Sequence, residues 1–343
     1  MPPFGIYWNV VTPCHLDPIT DGSLMRCYEL PERGNSNVLW NWQRVRGHDG
    51  AQQAMKHVFI NSLAIALREA VSSPPLKRCP EPTPVMDNPE QVEAFHAEGG
   101  INGSLISAYH FNALATSRFL PAGGTLLDLG CGSGQHLSYV AQRRPDIRII
   151  GLDLSGEMLK VGDGALETLD LKSRVDLRIG DMTDFSRQIT ERVDAISSVL
   201  ALHQLPGEKD LVRCLDEIAK AKERWGCGIW LFDLARPRHP ASPQRLANML
   251  DSQVPEAFRL DYLNSIRAAW SFAELSDLLE QSSVGSVRHA CSFPLRLFQA
   301  HWVEPQRRDD RKGKDLWVEG SLPRPARFEF SMLRAFFPTV PLS

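Results

Sequence analysis

Along the middle of the chain, short apolar runs alternate with longer stretches in which apolar residues recur every three or four positions. The runs begin at Leu126, span Ile147–Leu152, Val175–Ile179, Val193–Val199 and Cys227–Phe232, and are four to seven residues long. Short runs of that length, between helical stretches, suit the strands of a covered parallel sheet. Between them, His136–Arg144, Gly156–Leu169 and Lys209–Glu223 carry helical periodicity, and Phe185–Arg192 is a short crossover. Strand and helix in regular alternation predict βαβ units and a parallel sheet with helices on both faces.

The flanks read differently. Ala51–Val71 predicts a helix, with Ala54, Met55, Val58, Phe59, Ser62, Leu63, Ala66, Leu67 and Ala70 on one side. Residues 1–50 lack clear periodicity, yet Trp8, Trp40 and Trp42 argue for irregular, ordered structure. Ser72–Asn88 has prolines at 74, 75, 80, 82 and 84 and reads as an extended connector. A helix from Pro89, a break at Gly99-Gly100 and a second helix near Leu105–Phe119 follow. After the fifth run, Asp233-Leu234-Ala235-Arg236-Pro237 opens an excursion of some thirty residues that ends at a helix over Ser271–Gln281. The expected organisation is an accessory, mostly helical lid over 1–88, a ligand-binding domain over 89–303, and an extension over 304–343 whose Phe328–Phe337 segment docks back as helix or strand.

The sharpest motif lies at the end of the first run. Leu-Leu-Asp-Leu-Gly-Cys-Gly-Ser-Gly-Gln, residues 126–135, places Gly130, Gly132 and Gly134 at alternate positions before a helix. These residues permit positive φ and let backbone amides approach a ligand. The spacing is G-x-G-x-G, not the G-x-G-x-x-G that seats a dinucleotide pyrophosphate. Asp128 beside the loop suits a cationic ligand better than a phosphate. Asp153 ends the second run about twenty residues on, where a βαβ unit places a carboxylate against ribose hydroxyls. The third run ends in Gly180-Asp181-Met182, and the fourth contains Ser197-Ser198 and leads to Leu202-His203-Gln204-Leu205.

Together these strand ends resemble the class I S-adenosylmethionine-dependent methyltransferases, residues 126–135 being similar to motif I. The resemblance implies a Rossmann-like, doubly wound α/β sheet of seven strands, with Val287–Phe293 and Arg296–Val303 as its closing antiparallel pair. It implies S-adenosylmethionine as cofactor, held by Asp128, Gly130, Gly132, Gly134, Asp153, Leu154, Asp181, Met182 and Ser198. Asp181 is then expected against the adenine amino group and Met182 against the ring. The helix before motif I closes over the cofactor in this family, which brings Tyr109 toward the sulfonium and Asn112 toward the amino-acid end. Packing of the helix is the plainer role for Tyr109 and Phe111.

Composition narrows the setting. The chain has 343 residues, 43% of them hydrophobic, enough for a large core. A net charge of −3, without a long block of one sign, leaves no nucleic-acid footprint. Seven cysteines without C-x-x-C spacing speak against a disulfide framework and a zinc site, and for a reducing cytoplasm. No basic-then-apolar leader is expected at the amino terminus, and no apolar run is long enough to span a membrane.

For chemistry, His203 after the fourth strand is the candidate general base, with packing at the next helix as its bland alternative. Arg236 is placed to bind a substrate carboxylate, and Asp261, Tyr262 and Ser265 to line the acceptor side. No Asn- or Asp-Pro-Pro-aromatic tetrapeptide follows the fourth strand, which disfavours planar-nitrogen acceptors. The Pro13-Cys14 and Cys79-Pro80 pairs precede the loop, which disfavours C5-pyrimidine chemistry. The expected activity is methyl transfer to a small metabolite, with Ala51–Val71 as a candidate homodimer contact. Two alternatives share the site. One is a cyclase in which the ligand's amine, oriented by Tyr109 and Asn112, attacks its own γ-carbon to give azetidine-2-carboxylate and methylthioadenosine. The other is a regulator that binds the ligand without turnover.

Overall fold

Five parallel strands follow the five apolar runs: β1 (Thr125–Leu129), β2 (Arg148–Asp153), β3 (Val175–Ile179), β4 (Ala195–Val199) and β5 (Gly228–Leu234). The structure, a computed structural model, describes residues 61–100, 102–250, 253–306 and 316–342. Two more strands, β6 (Arg288–Cys291) and β7 (Phe298–Val303), are antiparallel, and β7 lies between β5 and β6. The order β3-β2-β1-β4-β5-β7-β6 makes the seven-stranded, doubly wound sheet that the resemblance implied. It reverses direction between β1 and β4, and ligands in such sheets bind beyond the strand ends at that switch point.

The helices are α1 over residues 61–71, α2 (Pro89–Glu98), α3 (Ile106–Ser117), α4 (Gln135–Arg143), α5 (Gly156–Thr168), α6 (Glu208–Trp225), α7 (Ser242–Ala247), α8 (Glu256–Ala268), α9 (Phe272–Gln281) and α10 (Arg324–Phe336). Alternation along the strands feeds two cores. Trp230 and Phe232 of β5 pack in one cluster with Phe111 of α3, Val140 of α4, Leu166 of α5 and Leu333 of α10. Ile229 and Leu231 point to the other face, with Leu211 and Ile218 of α6 and Leu275 and Leu279 of α9. Every residue of β5 is buried, as its unbroken apolar run requires.

Three segments gain definition in the structure. The excursion after β5 holds α7 and α8. The C-terminal segment is a helix, α10, and it begins four residues earlier, at Arg324, and packs on α3. The proline-rich stretch before α2 is extended, but it runs across the molecule as a strap. The Leu76 and Cys79 amides donate to the Pro237 and Arg267 carbonyls at 3.2 and 3.1 Å. Arg78 lies over the Trp270 ring at 3.9 Å and donates to the Ala268, Pro206, His203 and Leu205 carbonyls at 2.6–2.9 Å. Of the expected helix Ala51–Val71, the part before residue 61 lies outside the described residues. The remainder is helical, with Leu63, Leu67 and Val71 exposed. Among the described residues no helix is long and apolar enough to cross a membrane.

Candidate active site

Where β1 ends, the chain turns through Gly130, Gly132 and Gly134 at φ +73°, +53° and +66°. All three lie in the left-handed region that side chains avoid. A Cβ on Gly130 would collide with that of Ala201, whereas one on Gly132 would meet only the Phe95 ring, at 3.7 Å. The loop is tied to β2, since the Gly130 and Cys131 amides donate to the Leu152 carbonyl at 2.8 and 2.9 Å. Beside it opens a cavity of about 240 Å³ over the ends of β1, β2, β3 and β4. Met86 of the strap and Phe95 of α2 form walls of this cavity, neither of which the sequence had marked.

The three expected acids line this one cavity, with Leu154 and Met182 beside them. They are not equally free to grip a ligand. Asp153 accepts the Gly132 amide on Oδ2 at 2.7 Å and the Ser155 amide on Oδ1 at 2.9 Å, and each oxygen keeps a lone pair. Burial raises its pKa, against the pull of those amides. Among the described residues Asp181 accepts only the Thr183 amide, at 2.7 Å. Asp128, the third acid, is 2% exposed in the cavity floor, and its Oδ1 accepts the Ser197 hydroxyl. Burial, with Asp153 close by, pushes its pKa up to about 7 against the Ser197 bond. Ser198 is corrected outright: it is fully buried, donates to the Leu129 carbonyl at 2.9 Å, and is absent from the lining.

Tyr109 of α3 does face the cavity, its ring 5.5 Å from that of His136. Burial and the charge of Asp128 raise its pKa. Asn112 does not face it. Its amide nitrogen donates to the Ala108 carbonyl at 2.8 Å and its oxygen accepts the Trp230 indole at 2.7 Å, both inside the core. One turn of helix carried it to the sheet side of α3, where it satisfies a buried tryptophan. The cyclase alternative thereby loses one of the two residues that were to orient the amine.

A second, narrower cavity of about 50 Å³ adjoins the first, and Phe95, Leu200 and Gln204 line both. His203 stands in its wall. Its Nδ1 bonds Asp233 Oδ1 at 2.7 Å and its own amide donates to Asp233 Oδ2 at 2.8 Å, which fixes ring and backbone with one carboxylate. Burial pushes the imidazole pKa down, but the Asp233 charge and bond outweigh it, and the net shift is upward. Nε2 has no bonding partner among the described residues. Asp261, Tyr262 and Ser265 of α8 line this cavity, as expected of the acceptor side. Arg236 does not. Its guanidinium donates to the Leu76 and Ala269 carbonyls at 2.6 and 2.8 Å and pairs with Glu274 at 2.5 Å, so it anchors strap and α9 and cannot meet a substrate carboxylate. Sequence reasoning missed Asp233, although an acid at the end of a parallel strand was the signal that found Asp153.

The first cavity fits a cationic nucleoside. Asp153 and Asp181 face it with spare lone pairs, Asp128 lies in its floor, Gly132 leaves room for backbone approach, and the exposed Arg213, the one arginine or lysine among its described lining residues, is paired with a fourth acid, Asp210. Residues 126–226 match the family model described as "Methyltransferase domain". The chain is 28% identical over 105 residues to a ubiquinone biosynthesis O-methyltransferase of Xanthomonas axonopodis pv. citri, covering 31% of this chain and 42% of that one. It is 35% identical over 95 residues to a trans-aconitate 2-methyltransferase of Mycobacterium tuberculosis, covering 27% and 33%. The matched segments span less than half the length of either relative. The plantazolicin methyltransferase BpumL, solved with SAH, superimposes with a TM-score of 0.47 at 15% identity, over 74% of this chain and 99% of that one. Strand order and glycine loop agree with the match of residues 126–226 to a methyltransferase domain.

Proposed function

We propose that the protein transfers a methyl group from S-adenosylmethionine to a hydroxyl of a small molecule. One observation carries this: an acid-lined cavity at the switch point abuts a second cavity whose wall holds a histidine oriented by a buried aspartate. Asp153 binds the ribose hydroxyls, Asp181 and Met182 the adenine, and Tyr109 turns its ring toward the sulfonium. S-adenosylmethionine, when bound, supplies a methyl already activated by the sulfonium, whose sulfur keeps the bonding electron pair as the methyl leaves. His203 takes the acceptor's proton on Nε2 while Asp233 holds the ring and compensates the imidazolium charge. Phe95 and Leu200 line both cavities where they meet.

A reducing, cytoplasmic setting fits the five described cysteines, all of them free thiols. The exposed Leu63, Leu67 and Val71, spaced one turn apart on α1, are the proposed contact of a homodimer. The test is incubation of the full chain with S-adenosylmethionine, with and without a fractionated small-molecule extract, followed by mass spectrometry. S-adenosylhomocysteine that accumulates only when acceptor is present supports methyl transfer. Methylthioadenosine formed from the ligand alone refutes it.

A further inference from the structure

The acceptor cavity has a chemical character of its own. Its walls are apolar, from Leu105, Leu234, Leu250, Phe258 and Phe298, and it joins the larger cavity at Phe95, Leu200 and Gln204. Two hydroxyls buried within that lining, those of Ser104 and Tyr262, have no hydrogen-bond partner among the described residues. Buried polar groups are rarely left so, and each unpaired one costs roughly 1–3 kcal/mol. A ligand that bonds them recovers that cost.

Two carboxylates stand near them. Asp261 accepts the Gln91 amide on Oδ1 at 2.9 Å, and its Oδ2 has no partner among the described residues. Glu81 of the strap lies close behind, bonded by the Ser265 hydroxyl at 2.8 Å. Neither lysine nor arginine is among the described lining residues. The nearby Arg78 is committed to four backbone carbonyls and Arg236 to two carbonyls and Glu274. A carboxylate entering this cavity would lie beside Asp261 and Glu81, with His203, already paired to Asp233, as the one cationic group of the described lining, whereas an ammonium would meet the unshared Asp261 oxygen and two unpaired hydroxyls.

We propose that the acceptor is an aromatic hydroxy compound that carries a protonated amine, its hydroxyl at His203 and its ammonium at Asp261, Tyr262 and Ser104. This rests on the methyl-transfer reading above and adds the substrate class. His203 with its aspartate defines where the hydroxyl must lie, and the apolar walls hold the ring between the two polar ends.

The experiment is calorimetry on the full chain saturated with S-adenosylhomocysteine, which cannot react, using three matched phenols. Tyramine, 4-ethylphenol and 3-(4-hydroxyphenyl)propionate differ mainly in the charge of the side chain. Tyramine is expected to bind tightest, by about tenfold or more over 4-ethylphenol, as a charge-assisted hydrogen bond would give, with the propionate weakest. Asp261→Asn should bring tyramine to the level of 4-ethylphenol while S-adenosylhomocysteine affinity stays the same. Tyr262→Phe should weaken tyramine in the same direction and serves if the first variant does not fold. Equal affinities, a preference for the propionate, binding of none of the three, or an amine preference untouched by both variants would overturn the inference alone. Failure of S-adenosylhomocysteine itself to bind would overturn the reading beneath it.

Discussion

Single side chains in this site are assigned by what their atoms are already doing. Asp153 accepts the Gly132 amide of the loop on one oxygen and the Ser155 amide on the other, so it holds the glycine turn, and each oxygen keeps a lone pair for a hydroxyl. Asp153→Ala should therefore weaken nucleoside binding by roughly 1–3 kcal/mol, read by calorimetry with S-adenosylhomocysteine. Unchanged affinity would remove the ribose assignment. For Asn112 the expected result is the opposite. Asn112→Ala strands the Trp230 indole in the core and should cost about 1–3 kcal/mol of stability in urea melts, with KM for S-adenosylmethionine unchanged. His203→Gln should lower kcat by about 10²–10⁴, the worth of a positioned base. Because Asp233 raises the imidazole pKa, kcat in the native protein should climb with pH through a value above the ordinary 6.5 or so. The Asp233→Asn variant should shift that limb to lower pH. The sign for stability is reversed: the His203–Asp233 pair stabilises fully below the unfolded histidine pKa, and that contribution fades as pH rises through the folded one.

Among the elements, the strap before α2 connects the two cavities physically. Met86 lines the first, Arg78 pins the turn at residues 203–206 that carries His203, and Glu81 stands behind the second. Arg78→Ala should loosen that turn, so kcat should fall by more than S-adenosylhomocysteine affinity does. Equal losses in both would make the strap a general brace only. The strands, their order and the glycine loop were legible in the sequence because each rests on local chemistry: apolar runs that need two covered faces, and left-handed turns that need glycine. The strap was legible as extended, from its prolines, but not as a wall, because nothing local says what an extended chain lies against. Asn112 and Arg236 were misplaced for the same reason: a polar side chain beside the site serves the core or the ligand according to which direction it points. Short α7 was hidden within a six-residue span, too brief for periodicity to register.

At the scale of the molecule, the site stores its charge in a form that couples binding to protons. Asp128 sits in the floor of the cavity, and its burial brings the carboxyl up to about 7 from an ordinary value near 3.8. A folded-state pKa above the unfolded one means the native chain holds a proton that the unfolded chain has lost between those values. Stability from this group is therefore present below about pH 4 and declines as pH rises toward 7. Other carboxylates titrate across the same range, so the useful quantity is a difference. The stability of the native protein minus that of Asp128→Asn should fall steadily between pH 4 and about 7 in urea melts. A cation bound above Asp128 favours the ionised carboxyl and lowers its pKa. Binding of S-adenosylmethionine near pH 7 should accordingly release a fraction of a proton, seen as a binding enthalpy that depends on the ionisation enthalpy of the buffer. S-adenosylhomocysteine, which lacks the sulfonium charge, should release less, and Asp128→Asn should release none from this site. Equal proton release for the two ligands would place the sulfonium away from Asp128 and leave the buried charge as an element of the fold alone.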